Sequence, residues 1–201
     1  MSFECIIYEK NQGAATIKLN RTKVLNAMNK QLWLDFQVAL ADAKNDPEIK
    51  VLIVTGEGRA FSTGADLKES KTRTLEAYRD YLEELQEASR KIIRFEKPTI
   101  AAINGYAIGS GYELALACDI RLMSADCIWS MPELKMGVIA DVGGTSRLSR
   151  LLGPSLAMEI LMTGRDYSAQ QALDWGLINY YHSAENLIRE AENMAQDIAL
   201  T

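Results

Sequence analysis

The chain has 201 residues, of which 48% are hydrophobic and 24% charged, so it is long enough for one globular domain with a sizeable core. Its 22 Lys and Arg against 27 Asp and Glu give a net charge of -5, which leaves no basic excess for binding a nucleic-acid backbone. Because no segment reaches the roughly 18 apolar residues of a membrane span, we expect a cytoplasmic protein without nucleic-acid or membrane partners.

Cysteine and histidine are too few and too scattered for several kinds of chemistry. Cys5, Cys118 and Cys127 are an odd number without CxxC spacing, which indicates reduced core thiols rather than disulfides. His182 is the single histidine, so a Ser-His catalytic pair would have to use it. We therefore expect no metal site, and chemistry that rests on carboxylates and main-chain groups.

The first half of the chain alternates strand and helix patterns. Ala14–Leu19 has the pattern of a strand, and residues 29–43 repeat apolar side chains at helical spacing until Pro47 ends the helix. Residues 51–55 (VLIVT) form a short apolar run typical of a strand buried in a parallel sheet. Strands and helices in this order predict an α/β fold.

The second half continues this alternation. Residues 72–95 predict a long amphipathic helix with a stripe of side chains spaced by three and four. The stripe consists of Leu75, Tyr78, Leu82, Leu85, Ser89 and Ile92. Thr99–Ile103 predicts a second buried strand, Ser168 and Gln171 predict a capping box that opens a helix, and Ser183 begins a last amphipathic helix. Without repeats or linkers, residues 1–201 are predicted to form a single domain.

Two turns rich in small residues each connect a predicted strand to a helix. They are GEGRAFSTGADLKE at residues 56–69 and NGYAIGSGYELA at residues 104–115. Small residues let a ligand approach main-chain N-H groups closely, and two such turns together could present two donors to one oxygen, as in an oxyanion hole. In the simpler alternative, Asp66 and Glu69 form a capping box and the glycines let a helix pack against a strand.

Two carboxylates stand out by their surroundings. Glu113 follows the second turn inside an otherwise apolar helix, where an ionised group is costly unless it is satisfied. Glu133 follows Pro132 in the segment WSMPELKMGV. The alternatives are a cap-like role near the helix dipole for Glu113 and an ordinary surface position for Glu133.

Five motifs in order resemble the crotonase superfamily, the enoyl-CoA hydratase and isomerase group. They are AFSTGADLKE, NGYAIGSGYELALACDI, MPELKMGV, GGTSRLSRLLG and TGRDYSAQQALDWGLI. The resemblance implies a crotonase-type (ClpP/crotonase) spiral of repeated ββα units with flanking helices, assembled into homotrimers or dimers of trimers. It also implies further C-terminal helices, which a domain ending at Thr201 would lack.

The resemblance implies roles for individual residues. Ala65 and Ser110 match the two positions whose N-H groups hold the thioester oxygen. The positions that match the coenzyme A site are Leu25, Ala27, Ala65, Asp66, Leu67, Lys68 and Ser110. Glu113 and Glu133 match the catalytic glutamates of the hydratases and stand 20 positions apart, as the resemblance requires.

The implied reaction is the addition of water across the 2,3 double bond of a 2-enoyl-CoA thioester. Glu113 would orient and deprotonate the water, and Glu133 would give a proton to C2. The acyl-CoA is the substrate, coenzyme A is part of it, and no separate cofactor is implied. Four side chains are considered for the acyl pocket: Tyr78, Leu82, Trp129 and Met131.

Asp141 departs from the hydratase pattern. It lies eight residues after Glu133, where dienoyl-CoA isomerases carry an acidic residue, although those enzymes usually have Asp in place of Glu113. A double-bond isomerase that uses Glu133 and Asp141 is therefore the alternative activity. Asp141 could also be a turn residue before the glycines that follow it.

Alternatives from other classes remain open. The Clp proteases share the implied fold and use a serine, so Ser110 with His182 as its base is one alternative, though it leaves the glutamates unexplained. A catalytically silent acyl-CoA binder is another. RNA binding, known for some family members, has little support in an acidic chain.

Overall fold

In the computed structural model, residues 2–71 and 74–200 are described, apart from the side chain of Leu75, and their strands form two sheets. The larger sheet has the order β1 (Ile6–Asn11), β2 (Ala14–Leu19), β3 (Val51–Gly56), β5 (Thr99–Ile103), β7 (Ile120–Ser124) and β10 (Tyr180–His182). The smaller has the order β4 (Ala60–Ser62), β6 (Tyr106–Ile108), β8 (Ile128–Ser130) and β9 (Asp166–Ser168). Only the β1-β2 and β8-β9 pairs among these are antiparallel.

Helices connect the strands in a repeated order. They are α1 (Lys30–Asn45), α2 (Leu67–Ser70), α3 (Leu75–Ile93), α4 (Ser110–Ala117), α5 (Gly144–Leu152), α6 (Pro154–Thr163), α7 (Ala169–Asp174) and α8 (Ala184–Ala199). Short 3-10 helices lie at Thr22–Val24 and Glu133–Met136. In the units β3-β4-α2, β5-β6-α4 and β7-β8 with its 3-10 helix, the first strand enters the larger sheet and the second enters the smaller. This arrangement is a spiral of ββα units, as the sequence predicts.

The longer predicted elements are found where their patterns place them. The strands β2 and β5 have the predicted bounds, and Asn29 caps α1 by accepting a hydrogen bond from the Leu32 N-H. The capping box of Ser168 and Gln171 is present at α7. Thr72, the predicted first residue of α3, lies outside the described residues.

The larger sheet is buried on both faces, which explains why its central strands are apolar throughout. Val51 and Ile53 of β3 pack with α8, through side chains such as Leu187. Leu52 and Val54 point to the opposite face and join the main core with α1 and α4. Successive side chains of a strand alternate between faces, so a strand covered on both sides cannot show an alternating polar pattern.

Aromatic side chains join the smaller sheet to α4. Trp129 of β8 stacks on Tyr112 at 4.5 Å and on Tyr167 at 4.9 Å between ring centroids. Trp129 and Met131 have no exposed surface, so the core rather than the acyl pocket accounts for these two candidates. Cys5, Cys118 and Cys127 are free and buried, as predicted. None of the helices within residues 2–71 and 74–200 is long and apolar enough to cross a membrane.

Candidate active site

The two small-residue turns meet at the end of the smaller sheet. Gly64 follows β4 in a left-handed conformation (φ +84), and a methyl group on it would lie 2.8 Å from the Ile108 oxygen and 3.2 Å from the Ser110 nitrogen. Only glycine fits so close to a neighbouring main chain. The absence of a side chain at Gly64 therefore lets Ala65 and Ser110 lie side by side.

Both of these residues have an N-H that is not used within the fold. The segment of Ala65 is joined to Met28 through the Gly64 oxygen and the Asp66 N-H, so the N-H of Ala65 points to the other side. Ser110 opens α4, where the first N-H groups have no partner inside the helix. Within the described chain, neither N-H donates a hydrogen bond. Two free donors thus adjoin one space.

That space is a cavity of about 500 Å³ between the turns, α2, α3 and the segment that follows β8. Its lining is mainly apolar and includes Tyr78, Leu82, Leu85, Met136, Val138 and Ile139. Its polar lining residues include Glu133 and Asp141. A largely apolar pocket with a few convergent polar groups is typical of a small-molecule site.

Glu113 is held in a fully buried position beside this cavity. Its Oε1 accepts hydrogen bonds from the N-H groups of Val142 at 2.9 Å and Gly144 at 2.6 Å. Its Oε2 is buried and has no hydrogen-bond partner in the described chain. The carboxyl therefore bonds a distant loop rather than the N-terminus of its own helix, which argues against a cap-like role.

Glu133 lies against the second turn without any such anchor. It opens the 3-10 helix after Pro132, and both of its carboxyl oxygens are buried without a hydrogen-bond partner among the described residues. A methyl group on Gly109 (φ +54) would lie 2.5 Å from Glu133 Oε1. Two residues later, the missing side chain of Gly111 lets the main chain of Ser62 pack against α4. Gly109 therefore makes room for a carboxyl, and Gly111 makes room for helix packing.

Burial and mutual repulsion raise the pKa values of the three acidic groups. Burial, and then the charges of Glu133 and Asp141, raise the pKa of Glu113 to about 8 against the effect of its two N-H donors. Burial, and then the charge of Asp141, raise the pKa of Glu133, and burial raises that of Asp141. Protonated and ionised carboxyls can therefore coexist in this cluster near neutral pH.

The predicted substrate-contacting residues divide into two groups. Ala27, Ala65, Leu67 and Ser110 line the cavity, whereas Leu25, Asp66 and Lys68 do not. The oxygen of Leu25 accepts hydrogen bonds from Thr63. Their contact with a substrate stays a prediction.

Asp66 joins two of the segments around the cavity. It caps α2 and binds Arg21 at 2.9 Å. The Asp66 N-H, which a capping box would direct to the Glu69 carboxyl, donates to the Met28 oxygen, and the Glu69 carboxyl accepts a hydrogen bond from the Lys30 N-H. Asp66 is thus a helix cap and an ion-pair partner in the free chain.

The serine-protease alternative lacks its base. His182 lies in β10 at an edge of the larger sheet, in a surface depression with Tyr180 and Met194, and does not line the cavity of Ser110.

In the described part of the chain no group of three or more His, Cys, Asp or Glu could hold a metal ion.

Sequence reasoning missed several residues that shape this site. Tyr81 lines the cavity and lies three residues after Tyr78 on α3. The spacing of three and four residues that defined the apolar stripe of this helix could have included it. Gln86 and Arg147 hold the loop that binds Glu113, but no local pattern marks them. Gln86 contacts the loop across 55 residues of sequence and Arg147 contacts Ser89 across 58, so these contacts depend on the tertiary fold.

The comparison with protein families decides the assignment. The family model described as enoyl-CoA hydratase/isomerase matches residues 9–201. The chain belongs to this family. The predicted family, and with it the prediction of an enzyme, is thereby confirmed.

Individual relatives agree with this assignment. The chain is 37% identical over 196 residues to a crotonyl-CoA hydratase of Syntrophomonas wolfei, covering 97% of this chain and 75% of the relative. It is 35% identical to a short-chain-enoyl-CoA hydratase of Clostridium acetobutylicum, covering 98% of this chain and 76% of the relative.

Two solved structures share the fold of this chain. The enoyl-CoA hydratase of Bacillus anthracis superposes with a TM-score of 0.96 at 34% identity, covering 98% of this chain and 78% of that one. DspI of Pseudomonas aeruginosa gives a TM-score of 0.95 at 29% identity, covering all of this chain and 77% of that one. These similarities confirm the predicted crotonase fold.

Proposed function

We propose that the protein is an enoyl-CoA hydratase that adds water across the 2,3 double bond of a 2-enoyl-CoA thioester. The observation that carries the proposal is the convergence of two unused N-H groups, on Ala65 and Ser110, with the carboxyl of Glu133 at one cavity. Glu113 does not itself line the cavity, but it is close enough to Glu133 and Asp141 for their charges to raise its pKa, and it completes the acidic cluster.

The two N-H groups would act on the thioester oxygen. As water adds at C3, electrons move through the conjugated system and negative charge grows on that oxygen. Two donors that are already in position stabilise this charge without reorganising, and each is worth about 3 to 4 kcal/mol. The donors belong to the main chain, so the side chains of Ala65 and Ser110 are not required to react.

The two glutamates would divide the transfer of protons. The water oxygen bonds to C3 while Glu113 takes a proton from the water, and Glu133 gives a proton to C2. Glu113 ends protonated and Glu133 ends ionised, and exchange of one proton restores the starting state. This division requires the shared proton to be on Glu133 at the start, and the two N-H donors on Glu113 favour its ionised form.

Burial is the main cause of the rise in the pKa of Glu113 to about 8, so the ionised form that this division needs is the minor one at neutral pH. Part of the rise comes from repulsion by the charges on Glu133 and Asp141. A proton on Glu133 removes one of these charges and so lowers the pKa of Glu113. Coenzyme A would enter as part of the substrate along Ala27, Ala65 and Leu67, with no separate cofactor.

The test is hydration of crotonyl-CoA, followed by the loss of absorbance of its conjugated thioester. We expect activity in the wild type and a decrease of about 10² to 10⁴-fold in Glu113→Gln and in Glu133→Gln. Glu159→Gln changes an exposed residue of α6 and should retain the wild-type rate. Unchanged rates in both active-site variants, or no hydration by the wild type at any acyl chain length, would refute the proposal.

A second candidate is isomerisation of a double bond at the same site. It is favoured by Asp141, whose half-buried carboxyl lines the cavity together with Glu133. Such a pair could remove a proton at one carbon and return one at another. Conversion of a 3,5-dienoyl-CoA to the 2,4 isomer, lost in Asp141→Asn, would establish this activity. Wild-type hydration that persists in Asp141→Asn would favour the hydratase.

The assembly and the compartment are part of the same proposal. Exposed apolar side chains, among them Leu134, Ile139, Met158 and Met162, support association into homotrimers or dimers of trimers. Light scattering in solution should give the mass of three or six chains. The free, buried cysteines support a reducing compartment such as the cytoplasm.

A further inference from the structure

Helix α3 carries two polar side chains on the face that it turns to the site. Gln86 Nε2 donates a hydrogen bond to the Asp141 oxygen at 3.0 Å, and the buried Ser89 Oγ donates to the Val142 oxygen at 3.1 Å. Ser89 is the polar residue within the predicted apolar stripe. A serine is suited to this position because its hydroxyl donates to the loop of residues 139–143, against which this face of α3 packs.

Arg147 of α5 binds the same loop from the other side. Its guanidinium donates from Nη1 to the Val142 oxygen at 2.8 Å and to the Glu113 oxygen at 3.3 Å, and from Nη2 to Ser89 Oγ at 2.8 Å. It lies flat on Gly143, where a methyl group would be 2.5 Å from Nη1. One side chain thereby joins α3, α4 and the loop.

These contacts orient the main-chain groups that hold Glu113. The peptide between Asp141 and Val142 is bound at its oxygen by Gln86 and gives its N-H to Glu113 Oε1. The next peptide has its oxygen bound by Ser89 and Arg147. The first peptide is thus restrained from rotating by contacts at both ends, and the second, which lies between the two donors Val142 and Gly144, is held at its oxygen, so α3 and α5 together fix the loop that presents the N-H groups to Glu113.

The charge of Arg147 acts in the same place. Glu133 from the 3-10 helix and Asp141 from the loop raise the pKa of Glu113, and Arg147 is the cation that faces it from α5. Burial lowers the pKa of Arg147, and the charge of Glu113 opposes this decrease. Because such coupling is reciprocal, Arg147 favours the ionised form of Glu113.

We propose that Arg147 is a positioning residue for Glu113, acting through the main chain of residues 142–144, with Gln86 and Ser89 completing the contact. This inference rests on the proposed hydratase role of Glu113. It predicts that changes at Arg147 alter turnover and its pH dependence while substrate binding is preserved.

The test compares two variants of Arg147 by kcat and KM for crotonyl-CoA over a range of pH. Arg147→Met should lower kcat by about 10²-fold, since a small displacement of a catalytic group has effects of this size, while KM stays within about threefold. It should also move the pH limit that belongs to ionisation of Glu113 to higher pH. Arg147→Lys keeps the charge, so it should keep the pH profile while lowering kcat by about tenfold because the planar fork is lost.

Other variants separate positioning from folding. Gln86→Leu removes the contact with Asp141 but no charge, so it should lower kcat by about tenfold without moving the pH profile. Arg150→Met changes an exposed arginine of the same helix and should behave as wild type. Thermal unfolding shows which variants are folded, and if Arg147→Met is not, Arg147→Lys and Gln86→Leu decide the question.

The outcomes distinguish this inference from the proposed function. If the wild type does not hydrate any enoyl-CoA, the proposed function fails. If the wild type hydrates crotonyl-CoA and the folded variants of Arg147 and Gln86 retain its kcat and pH profile, the proposed function stands and the positioning role is wrong.

Discussion

Glu113 and Glu133 belong to one acidic cluster, but the fold holds them in different ways. Glu113 has no exposed surface, and two main-chain N-H groups bind one of its oxygens. Glu133 is 7% exposed, lines the cavity, and has no hydrogen bond on either oxygen within the described chain. Donors favour an ionised carboxylate and fix its direction, whereas an unanchored carboxyl can carry a proton and turn. Identical side chains are thereby suited to different tasks.

The largest expected effect comes from moving Glu133. In Gly109→Ala, the added methyl group would lie 2.5 Å from Glu133 Oε1, and the conformation (φ +54, ψ -125) is unfavourable for alanine. We expect hydration of crotonyl-CoA to fall by at least about 10²-fold. Gly176→Ala places a methyl group at a similar φ (+71) in open space, so it should lose stability but not activity. Equal activities of these two variants would refute the role given to Gly109.

Gly144→Ala tests the anchor of Glu113 in the same manner. Its methyl group would meet Met131 Cε at 2.6 Å and Glu113 Oε1 at 2.9 Å. The methionine can move, and the conformation is helical, so we expect a smaller decrease of about tenfold in kcat. The kcat of Gly144→Ala is compared with that of Gly109→Ala, which should be the lower of the two. The reverse order would mean that Glu133 tolerates displacement better than Glu113.

The pH dependence of stability should distinguish the two carboxyls. Burial raises the pKa of Glu113 from 4.5 to about 8. Between these values the folded protein keeps a proton that the unfolded chain releases, so the free energy of unfolding falls as pH rises, by at most about 1.4 kcal/mol per pH unit. Glu113→Gln removes this titration, and its Tm should decrease less than that of the wild type between pH values of about 5 and 8.

Glu133→Gln should show the same direction with a smaller effect, because Glu133 is 7% exposed whereas Glu113 has no exposed surface. Glu159→Gln, on the exposed side of α6, should follow the wild type. Thermal unfolding by circular dichroism provides the measurement. A wild-type Tm that increases with pH over this range would contradict the raised pKa of Glu113.

The smallest effect is expected for Ser110→Ala. Alanine keeps the N-H at the cavity and loses only the hydroxyl, so hydration should remain within about twofold of the wild type. A complete loss of activity in a folded Ser110→Ala protein would instead make the hydroxyl a reacting group. The rate of crotonyl-CoA hydration, compared with Ser110→Gly as a second variant that keeps the N-H, gives the answer.

The strand patterns in the sequence did not predict the smaller sheet, nor β1, β7 and β10 of the larger one. The strands of the smaller sheet, β4, β6, β8 and β9, have three residues each, too few to show a period. They form because the chain leaves the larger sheet repeatedly at the same end, and neighbouring turns then lie close enough to pair. The two small-residue turns were visible in the sequence, but their meeting at Gly64 and Ser110 follows from this pairing.

By itself, the sequence determined the long helices, the buried central strands and the identity of the glycines and glutamates, because each depends on local spacing or on a residue's own chemistry. Only the tertiary structure decided that Glu113 bonds to Val142 and Gly144, and that Arg147 and Gln86 hold that loop. Apart from the bond of Arg147 to the Val142 oxygen, five residues away, these contacts join residues 29 to 55 positions apart, and no local pattern encodes them. The sequence was sufficient to identify Glu113 and Glu133, whereas the fold determines that Glu113 is bound by two N-H groups and that Glu133 has no hydrogen bond within the described chain.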